Sequence, residues 1–244
     1  MEYFQGSSFY DNEDVFERYI RHRKWTESPN KVIEKPVVLE LLDGIGGHVL
    51  DLGCGYGDIA TELLEKGANQ YTGIDSSSKM ITLGQSQIKH PKVELLKSDI
   101  QQHNYPDSTY DWVIARLVFH YIEDLGKLLR KVHNSLKQNG KLVFSVEHPV
   151  LTSSMDLPRT PGKKQSWIVD QYFDIGVRNQ AWMNNKVQKY HRTLEEYWRI
   201  VTQAGFRVEM IKEGKPNADL FQNQEEYERR KRIPLFLIIK AEKG

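Results

Sequence analysis

The chain has 244 residues, of which 39% are hydrophobic and 27% are charged, and its formal net charge is +1. This composition is typical of a globular protein and gives no whole-molecule attraction to nucleic acid or membranes. The only cysteine, Cys54, excludes an intramolecular disulfide and a metal site built from cysteines. Neither a metal-ligand spacing nor an apolar run long enough for a signal peptide or membrane span is found, so we expect a cytoplasmic protein without a metal.

Two helices are predicted ahead of the first strand, over residues 11–25 and 32–42. Both have apolar positions at helical spacing, and Pro36 is tolerated because it falls in the first turn of the second helix. These helices could cover one edge of a ligand site or simply pack on the sheet. Tyr19 and Arg23 of the first helix are the candidates for contact with a ligand.

Residues 49–58, VLDLGCGYGD, predict a buried strand, a sharp glycine turn and the start of a helix. The dinucleotide fingerprint G-x-G-x-x-G has its third glycine one position later, and Asp51 would repel a pyrophosphate. The pattern therefore favours a cationic ligand, although a tight turn without any ligand remains an alternative. Candidate binding residues are Asp51, Gly53, Gly55 and Cys54, the last interpreted as a small buried side chain and not as a nucleophile.

Acidic residues also stand at the ends of the next two predicted strands. Asp75 ends the strand at 70–75, and Asp99 lies near the end of the strand at 93–100. In a doubly wound sheet, ligands bind at the carboxyl ends of the strands, where an acid after the second strand can accept both ribose hydroxyls of an adenosine. Asp75 and the adjacent Ser76 are therefore candidate binding residues, with helix capping as the alternative role.

The fourth and fifth strands are predicted at 110–116 and 141–146, with an amphipathic helix between them. Arg116, the last residue of the fourth strand, is placed at the same ligand edge. It is therefore included among the candidate cofactor-binding residues.

The alternating pattern is interrupted at residues 151–190, which predict a loop followed by a β-hairpin. An insertion at the ligand edge commonly forms a lid or substrate pocket, although its aromatic residues could instead form a satellite core. A helix opened by Thr193 and strands at 206–211 and 235–241 follow. We predict a single domain, 1–244, made of N-terminal cap helices (1–43), a binding core (45–149), the insertion (151–190) and a C-terminal helix with strands (191–244).

The glycine motif at 51–57, the acids at the strand ends and the segment LKQNGK at 136–141 together resemble the class I S-adenosylmethionine-dependent methyltransferases, over about residues 45–149. The resemblance implies an α/β fold with a doubly wound, mostly parallel, seven-stranded, Rossmann-like sheet whose last strand is antiparallel. It implies S-adenosylmethionine as cofactor and S-adenosylhomocysteine as product. It also implies that Asp99 accepts a hydrogen bond from the adenine amino group while Ile100 contacts the ring.

The predicted acceptor is a small organic molecule held under the 151–190 insertion. An alcohol or ammonium acceptor would need a base from the ligand edge, and the candidates are His120, His148 and His191. Each of these histidines has a structural alternative, respectively a helix cap, a turn and an exposed position.

Two other functions remain open at this point. One is an RNA methyltransferase that binds the nucleic acid backbone through two basic clusters, and the other is a non-catalytic S-adenosylmethionine-binding module. The basic clusters consist of Arg18, Arg21, Arg23 and Lys24, and of Arg229, Arg230, Lys231 and Arg232.

Overall fold

The computed structural model describes residues 3–5, 11–23, 27–154, 166–182 and 185–244. Its centre is a seven-stranded sheet in which the last strand of the chain runs antiparallel to both of its neighbours and the other neighbouring strands run parallel. The predicted doubly wound, mostly parallel sheet with an antiparallel last strand is confirmed. Numbered along the chain, the strands in sheet order are β4 (Val93–Lys97), β3 (Ala68–Asp75), β2 (Gly47–Leu52), β5 (Tyr110–Arg116), β6 (Leu136–Glu147), β10 (Phe236–Lys243) and β9 (Phe206–Lys212).

The helices connect these strands and cover both faces of the sheet. Ser77, Asp124 and Thr193 each accept a hydrogen bond from a backbone N–H in the first turn of a helix, as N-caps do. The predicted opening of a helix at Thr193 is therefore correct. The helices are α1 (Glu13–Arg23), α2 (Lys35–Leu41), α3 (Ala60–Glu65), α4 (Ser78–Gln87), α5 (Leu125–Ser135), α6 (Pro149–Thr152), α7 (Leu194–Gln203) and α8 (Gln224–Arg230).

The predicted helix at 32–42 is present as α2, but it is preceded by a π-helical turn, Asn30–Glu34, that takes the place of its predicted start. Pro36 lies just inside α2 and has no N–H to donate to the preceding turn, which explains why the regular helix begins only there. The other differences are mostly small changes at element ends. For example, β4 ends at Lys97, so Asp99 lies in the loop beyond the strand.

Alternate residues of the central strands pack into two hydrophobic clusters. In β2, Leu50 and Leu52 belong to one cluster, whereas Val49 belongs to the other. Asp51 therefore lies on the Val49 side of the sheet, the side that residues of α2 and α3 cover.

The 151–190 insertion contains a hairpin, formed by β7 (Gly176–Trp182) and β8 (Asn185–His191), with β1 (Tyr3–Gln5) parallel to β8. The predicted hairpin is confirmed, but it begins after the first aromatic stretch at 167–173, which forms no regular strand. Part of the predicted loop, residues 155–165, lies outside the described residues. Among the residues that are described, no helix is long and apolar enough to cross a membrane.

Candidate active site

A cavity of about 430 Å³ lies at the carboxyl ends of the central strands and is closed on one side by β8. It brings together most of the site residues predicted from the sequence, which come from α1, from the ends of β2, β3 and β5, and from the loops that follow the strands. The predicted residues that line it are Tyr19, Asp51, Gly53, Cys54, Gly55, Asp75, Ser76, Asp99, Ile100, Arg116 and His120.

Asp51 is a buried acid with one engaged and one free oxygen. Its Oδ2 accepts a hydrogen bond of 2.6 Å from the Tyr71 hydroxyl, whereas its Oδ1 has no hydrogen-bond partner among the described residues. Burial raises the pKa of Asp51 to about 7, although the Tyr71 hydrogen bond and the charge of Arg116 oppose this shift. A buried carboxylate oxygen without a partner at a cavity wall is suited to a cationic or hydrogen-bond-donating ligand.

The first backbone amides of the glycine loop are already engaged in hydrogen bonds within the protein. The N–H groups of Gly53 and Cys54 donate to the carbonyl of Ile74, and that of Gly55 donates to Oδ2 of Asp75. These donors are therefore not available as a nest for a phosphate. A Cβ on Gly55 would meet no described heavy atom within 4 Å, because that position opens into the cavity.

Asp75 connects this loop to the start of α4. Its Oδ1 accepts from the Ser77 N–H at 2.8 Å while its Oδ2 holds Gly55, and these bonds oppose the upward shift that burial imposes on the pKa of Asp75. Asp99 is exposed, and its Oδ1 accepts from the Gln101 N–H. Both carboxylates keep lone pairs with which they could accept ligand hydroxyl or amino groups.

Arg116 is held at the cavity by a buried ion pair. Its Nη2 and Nε donate to the two carboxylate oxygens of Glu34, at 2.7 and 3.2 Å, and Ser145 Oγ donates to the same carboxylate. Arg116 Nη1 lies 3.6 Å from Asp58 Oδ1. Burial disfavours the charge of Arg116, but Glu34 and Asp58 outweigh it and raise its pKa. The charge of Arg116 is thereby matched by acids of the chain itself.

The second half of the cavity is formed by His120, Tyr121, Glu147, Lys189 and Tyr190. Lys189 Nζ donates to Glu147 Oε2 at 2.7 Å, and the N–H of Glu147 lies 3.4 Å from Nδ1 of His120. Burial and the charge of Lys189 lower the pKa of His120 to about 3, so its imidazole is neutral at physiological pH. Of this group, only His120 was selected from the sequence.

Two of the three predicted histidines do not line the cavity that the described residues enclose. His148 caps α6 through its Nδ1, and its Nε2 lies 3.1 Å from Oε1 of Glu213. His191 is buried, with Nδ1 2.6 Å from Thr152 Oγ1 and Nε2 2.9 Å from the Tyr172 carbonyl oxygen. The catalytic roles predicted for both therefore have no contact with the cavity to support them. The side chain of Arg23 lies outside the described part of the chain.

Within the described ranges, no group of three or more histidine, cysteine or acidic side chains could hold a metal ion. The cavity walls instead combine several carboxylates with a polar second half. This arrangement fits an organic ligand with positive charge next to a second small molecule.

Comparison with known proteins identifies the family. A family model described as a methyltransferase domain matches residues 50–144. A structure from Listeria monocytogenes, described as an S-adenosylmethionine-dependent methyltransferase, superposes with a TM-score of 0.79 at 33% identity, covering 86% of this chain and 96% of that one. The chain belongs to the S-adenosylmethionine-dependent methyltransferases. The resemblance stated from the sequence is thereby confirmed, and S-adenosylmethionine is the cofactor of this enzyme.

Further relatives of this methyltransferase extend the comparison. A Mesorhizobium loti S-adenosylmethionine-dependent methyltransferase shows a TM-score of 0.79 at 28% identity, over 88% of this chain and 98% of that one. An uncharacterized Haemophilus influenzae protein is 34% identical over 97% of both chains. A demethylmenaquinone methyltransferase from Listeria welshimeri is 23% identical over 75% of this chain and 77% of its own length.

The residues of the methyltransferase fit its cofactor. The free Oδ1 of Asp51 is an acceptor suited to the ammonium of S-adenosylmethionine, and the absent side chain of Gly55 leaves room at the cavity wall. The carboxylates of Asp75 and Asp99 add negative charge at the same edge. Within the described part of the chain, the N–H groups of Gly53, Cys54 and Gly55 and the guanidinium of Arg116 are already bonded, which disfavours a pyrophosphate.

Proposed function

We propose that this methyltransferase transfers the methyl group of S-adenosylmethionine to a small organic molecule bound against β8. The observation that carries the proposal is a continuous cavity whose walls include both the glycine loop after β2 and the side chains of Lys189 and Tyr190. At about 430 Å³ it falls within the size range of ligand pockets in proteins. One continuous space for both ligands aligns the acceptor with the cofactor.

On the cofactor side, each of three acidic residues binds a different group of S-adenosylmethionine. Asp51 accepts from the ammonium group, Asp75 from the ribose hydroxyls, and Asp99 from the adenine amino group. The remaining cofactor-binding residues of the proposal contribute shape and contact, and they are Gly53, Cys54, Gly55, Ser76, Ile100, Arg116 and Tyr19. Bound S-adenosylmethionine supplies a methyl group that is electrophilic because it is carried on a sulfonium.

On the acceptor side, His120 positions the substrate and does not act as a strong base. Its low pKa of about 3 makes the imidazole a poor proton acceptor. The Glu147 N–H directed at Nδ1 favours the tautomer with the proton on Nε2, which can donate a hydrogen bond to an acceptor oxygen or nitrogen. Lys189 and Tyr190 complete this wall, and Nζ of Lys189 lies 5.4 Å from the centre of the Tyr121 ring.

An RNA acceptor is disfavoured by the pairing of the C-terminal basic cluster. Arg229 Nη2 lies 2.7 Å from Glu226 Oε2, Arg230 Nε lies 3.6 Å from the same oxygen, and Lys231 Nζ lies 2.9 Å from Glu228 Oε2. Charges already paired with acids in α8 contribute less to the binding of a phosphate backbone. The demethylmenaquinone methyltransferase relative also carries a small-molecule activity in its name.

The test is a transfer assay with methyl-labelled S-adenosylmethionine. Purified enzyme is incubated with a metabolite extract and, separately, with total RNA from the same cells at low salt. We expect label in the small-molecule fraction, with almost none when Asp75→Asn replaces the wild-type protein. Label found in RNA and absent from the metabolites would reject the proposal.

A further inference from the structure

We infer that Tyr71 is a positioning residue for the cofactor site: its hydroxyl engages Oδ2 of Asp51 and leaves Oδ1 as the oxygen without a partner among the described residues. The inference rests on the proposed role of Asp51 in binding the cofactor ammonium. The Tyr71 hydroxyl donates to Asp51 Oδ2 at 2.6 Å, and the exposed fractions of the two residues are 0% and 2%. Tyr71 itself does not line the cavity formed by the described residues.

The contact arises from the register of two neighbouring strands. In the parallel pair β2 and β3, Val49 is opposite Tyr71 and Asp51 is opposite Gly73. Residues two apart on a strand share a face, so Tyr71 and Asp51 are diagonal neighbours on one side of the sheet. Such neighbours are too far apart for short side chains but within reach of an aromatic one.

Gly73 is the residue that lets the tyrosine ring cross this diagonal. A Cβ at position 73 would lie 2.9 Å from Tyr71 Cε1, closer than real Cβ contacts allow. It would also lie 2.8 Å from Cys54 Sγ and 2.9 Å from Leu95 Cδ2, so a side chain opposite Asp51 would have no room beside the ring. The segment Tyr71-Thr72-Gly73 thus provides both the hydroxyl donor and the space through which it reaches the acid.

The hydrogen bond at Oδ2 determines what the unpaired oxygen, Oδ1, can do. The pKa of Tyr71 is raised well above its usual range by burial and by the nearby Asp51, so the phenol stays protonated and keeps donating. Oδ2 already accepts one hydrogen bond, which favours Oδ1 as the oxygen that takes up a proton. Protonation of Asp51 removes its negative charge and turns Oδ1 from an acceptor for a cation into a donor.

Three charged groups, in addition to the neutral Tyr71 hydroxyl, act on the Asp51 carboxylate. Arg116 at the end of β5 favours the ionised carboxylate, whereas Asp58 in the glycine loop and Asp75 at the end of β3 disfavour it. Burial is the largest effect, and the pKa of Asp51 is about 7 as a result. Removal of the Tyr71 hydroxyl would leave burial less opposed and raise that pKa further. Ligand affinity should consequently depend on Tyr71 most strongly near neutral pH.

The test is calorimetric titration of S-adenosylhomocysteine into wild type, Tyr71→Phe and Tyr110→Phe from about pH 5.5 to about pH 8.5. Tyr110 in β5 is a matched control, since it is also buried but contacts His48 near the other end of the sheet. In wild type, affinity should rise by up to about tenfold per pH unit below the pKa of Asp51 and then level off. In Tyr71→Phe this rise should move to higher pH, with an affinity about tenfold lower at pH 7 and a smaller difference at pH 8.5. A profile identical to that of wild type would overturn the inference.

A second measurement separates this inference from the proposed function. The Asp51 carboxyl carbon can be followed by ¹³C NMR in the ligand-free protein, with Asp51→Asn to assign the signal. We expect its titration midpoint to be higher in Tyr71→Phe than in wild type and unchanged in Tyr110→Phe. An unchanged midpoint in Tyr71→Phe would refute the positioning role. If the midpoint moves while S-adenosylhomocysteine affinity does not depend on Asp51, the proposed cofactor contact fails and the Tyr71–Asp51 coupling stands.

Discussion

The ammonium of Lys189 lies 2.7 Å from Oε2 of Glu147 and joins the hairpin strand β8 to the last residue of the core strand β6. The exposed fractions of the two side chains are 5% and 22%, so water screens the pair only weakly. Arg192, just after β8, adds hydrogen bonds to the carbonyls of Ile122 and Glu123. The hairpin is therefore a preformed wall of the acceptor half of the cavity.

Breaking this ion pair should affect both stability and acceptor binding. Lys189→Met leaves the Glu147 carboxylate in a largely buried position, and we expect a loss of about 3 kcal/mol in the free energy of unfolding. The KM for the acceptor should rise, while S-adenosylhomocysteine affinity should stay within about twofold of wild type. Chemical denaturation and calorimetry measure the two effects.

The matched control for that variant is Lys231→Met. Lys231 pairs with Glu228 at 2.9 Å, but 43% and 52% of their side chains are exposed. Since exposed pairs contribute about 0–1 kcal/mol, this change should be nearly neutral. Equal losses from the two substitutions would show that the buried pair has no special role.

A second prediction concerns the space beside the glycine loop. Gly55 and Gly44 both have positive φ angles, +58° and +75°, and a Cβ at either position would meet no described heavy atom within 4 Å. Alanine at each should therefore cost a similar backbone strain of about 1 kcal/mol. Only Gly55 lines the cavity, so only Gly55→Ala should also weaken S-adenosylhomocysteine binding. Comparable affinities in the two variants would place the ligand elsewhere.

A third prediction concerns Asp75, which the account assigns to the ribose. Asp75→Asn keeps the size of the side chain, removes its charge and leaves an oxygen for only one of the Gly55 and Ser77 N–H groups. We expect an affinity for S-adenosylhomocysteine lower by about 10-fold to 100-fold, because hydrogen bonds to charged groups contribute about 1.5–3 kcal/mol. Asp111→Asn is the control, since Asp111 also accepts a backbone N–H, that of His48, but does not line the cavity. Isothermal titration calorimetry of both variants gives the comparison.

The buried His120 predicts a specific dependence of stability on pH. Its pKa is about 3 in the folded protein and near 6.5 when unfolded, so between these values the unfolded chain binds the extra proton. Stability should therefore be complete above about pH 6.5 and decrease as the pH falls toward 3.

Replacement of this histidine should flatten the acid side of the stability curve. Between pH 7 and pH 5, His120→Gln should lose about 2 kcal/mol less than wild type does. His90→Gln, at an exposed site between α4 and β4, should leave the slope unchanged. Urea denaturation at a series of pH values checks this, and parallel curves for all three proteins would contradict the buried, neutral state of His120.

The cofactor half of the cavity could be predicted because it is formed by short motifs that each follow directly after one strand. A glycine turn after one strand and acids at the ends of the next two strands must meet at one edge of a parallel sheet. Asp51, Asp75 and Asp99 do line one cavity. The Tyr71 contact was not found, because it depends on the register of β2 against β3 and on the missing side chain of Gly73.

The acceptor half was harder to predict because its residues stand next to histidines that point elsewhere: Tyr190 and His191 alternate along β8, and His148 leaves β6 to cap α6. At Glu147-His148 and again at Tyr190-His191, the sequence favoured the histidine for its chemistry, whereas the cavity is lined by its neighbour. Which residue of such a pair faces a ligand depends on the long-range placement of β8 against β6. No periodicity within either segment carries that information.

The most direct test of the account is a comparison of Michaelis constants once the labelled acceptor is identified. We predict that Asp75→Asn raises the KM for S-adenosylmethionine at least about tenfold with little change in the KM for the acceptor, and that Lys189→Met does the reverse. This separation would show that the glycine-loop side and the β8 side of one cavity bind the two substrates. If both variants change the same constant, or if Lys189→Met changes neither, the assignment of the β8 wall to the acceptor is contradicted.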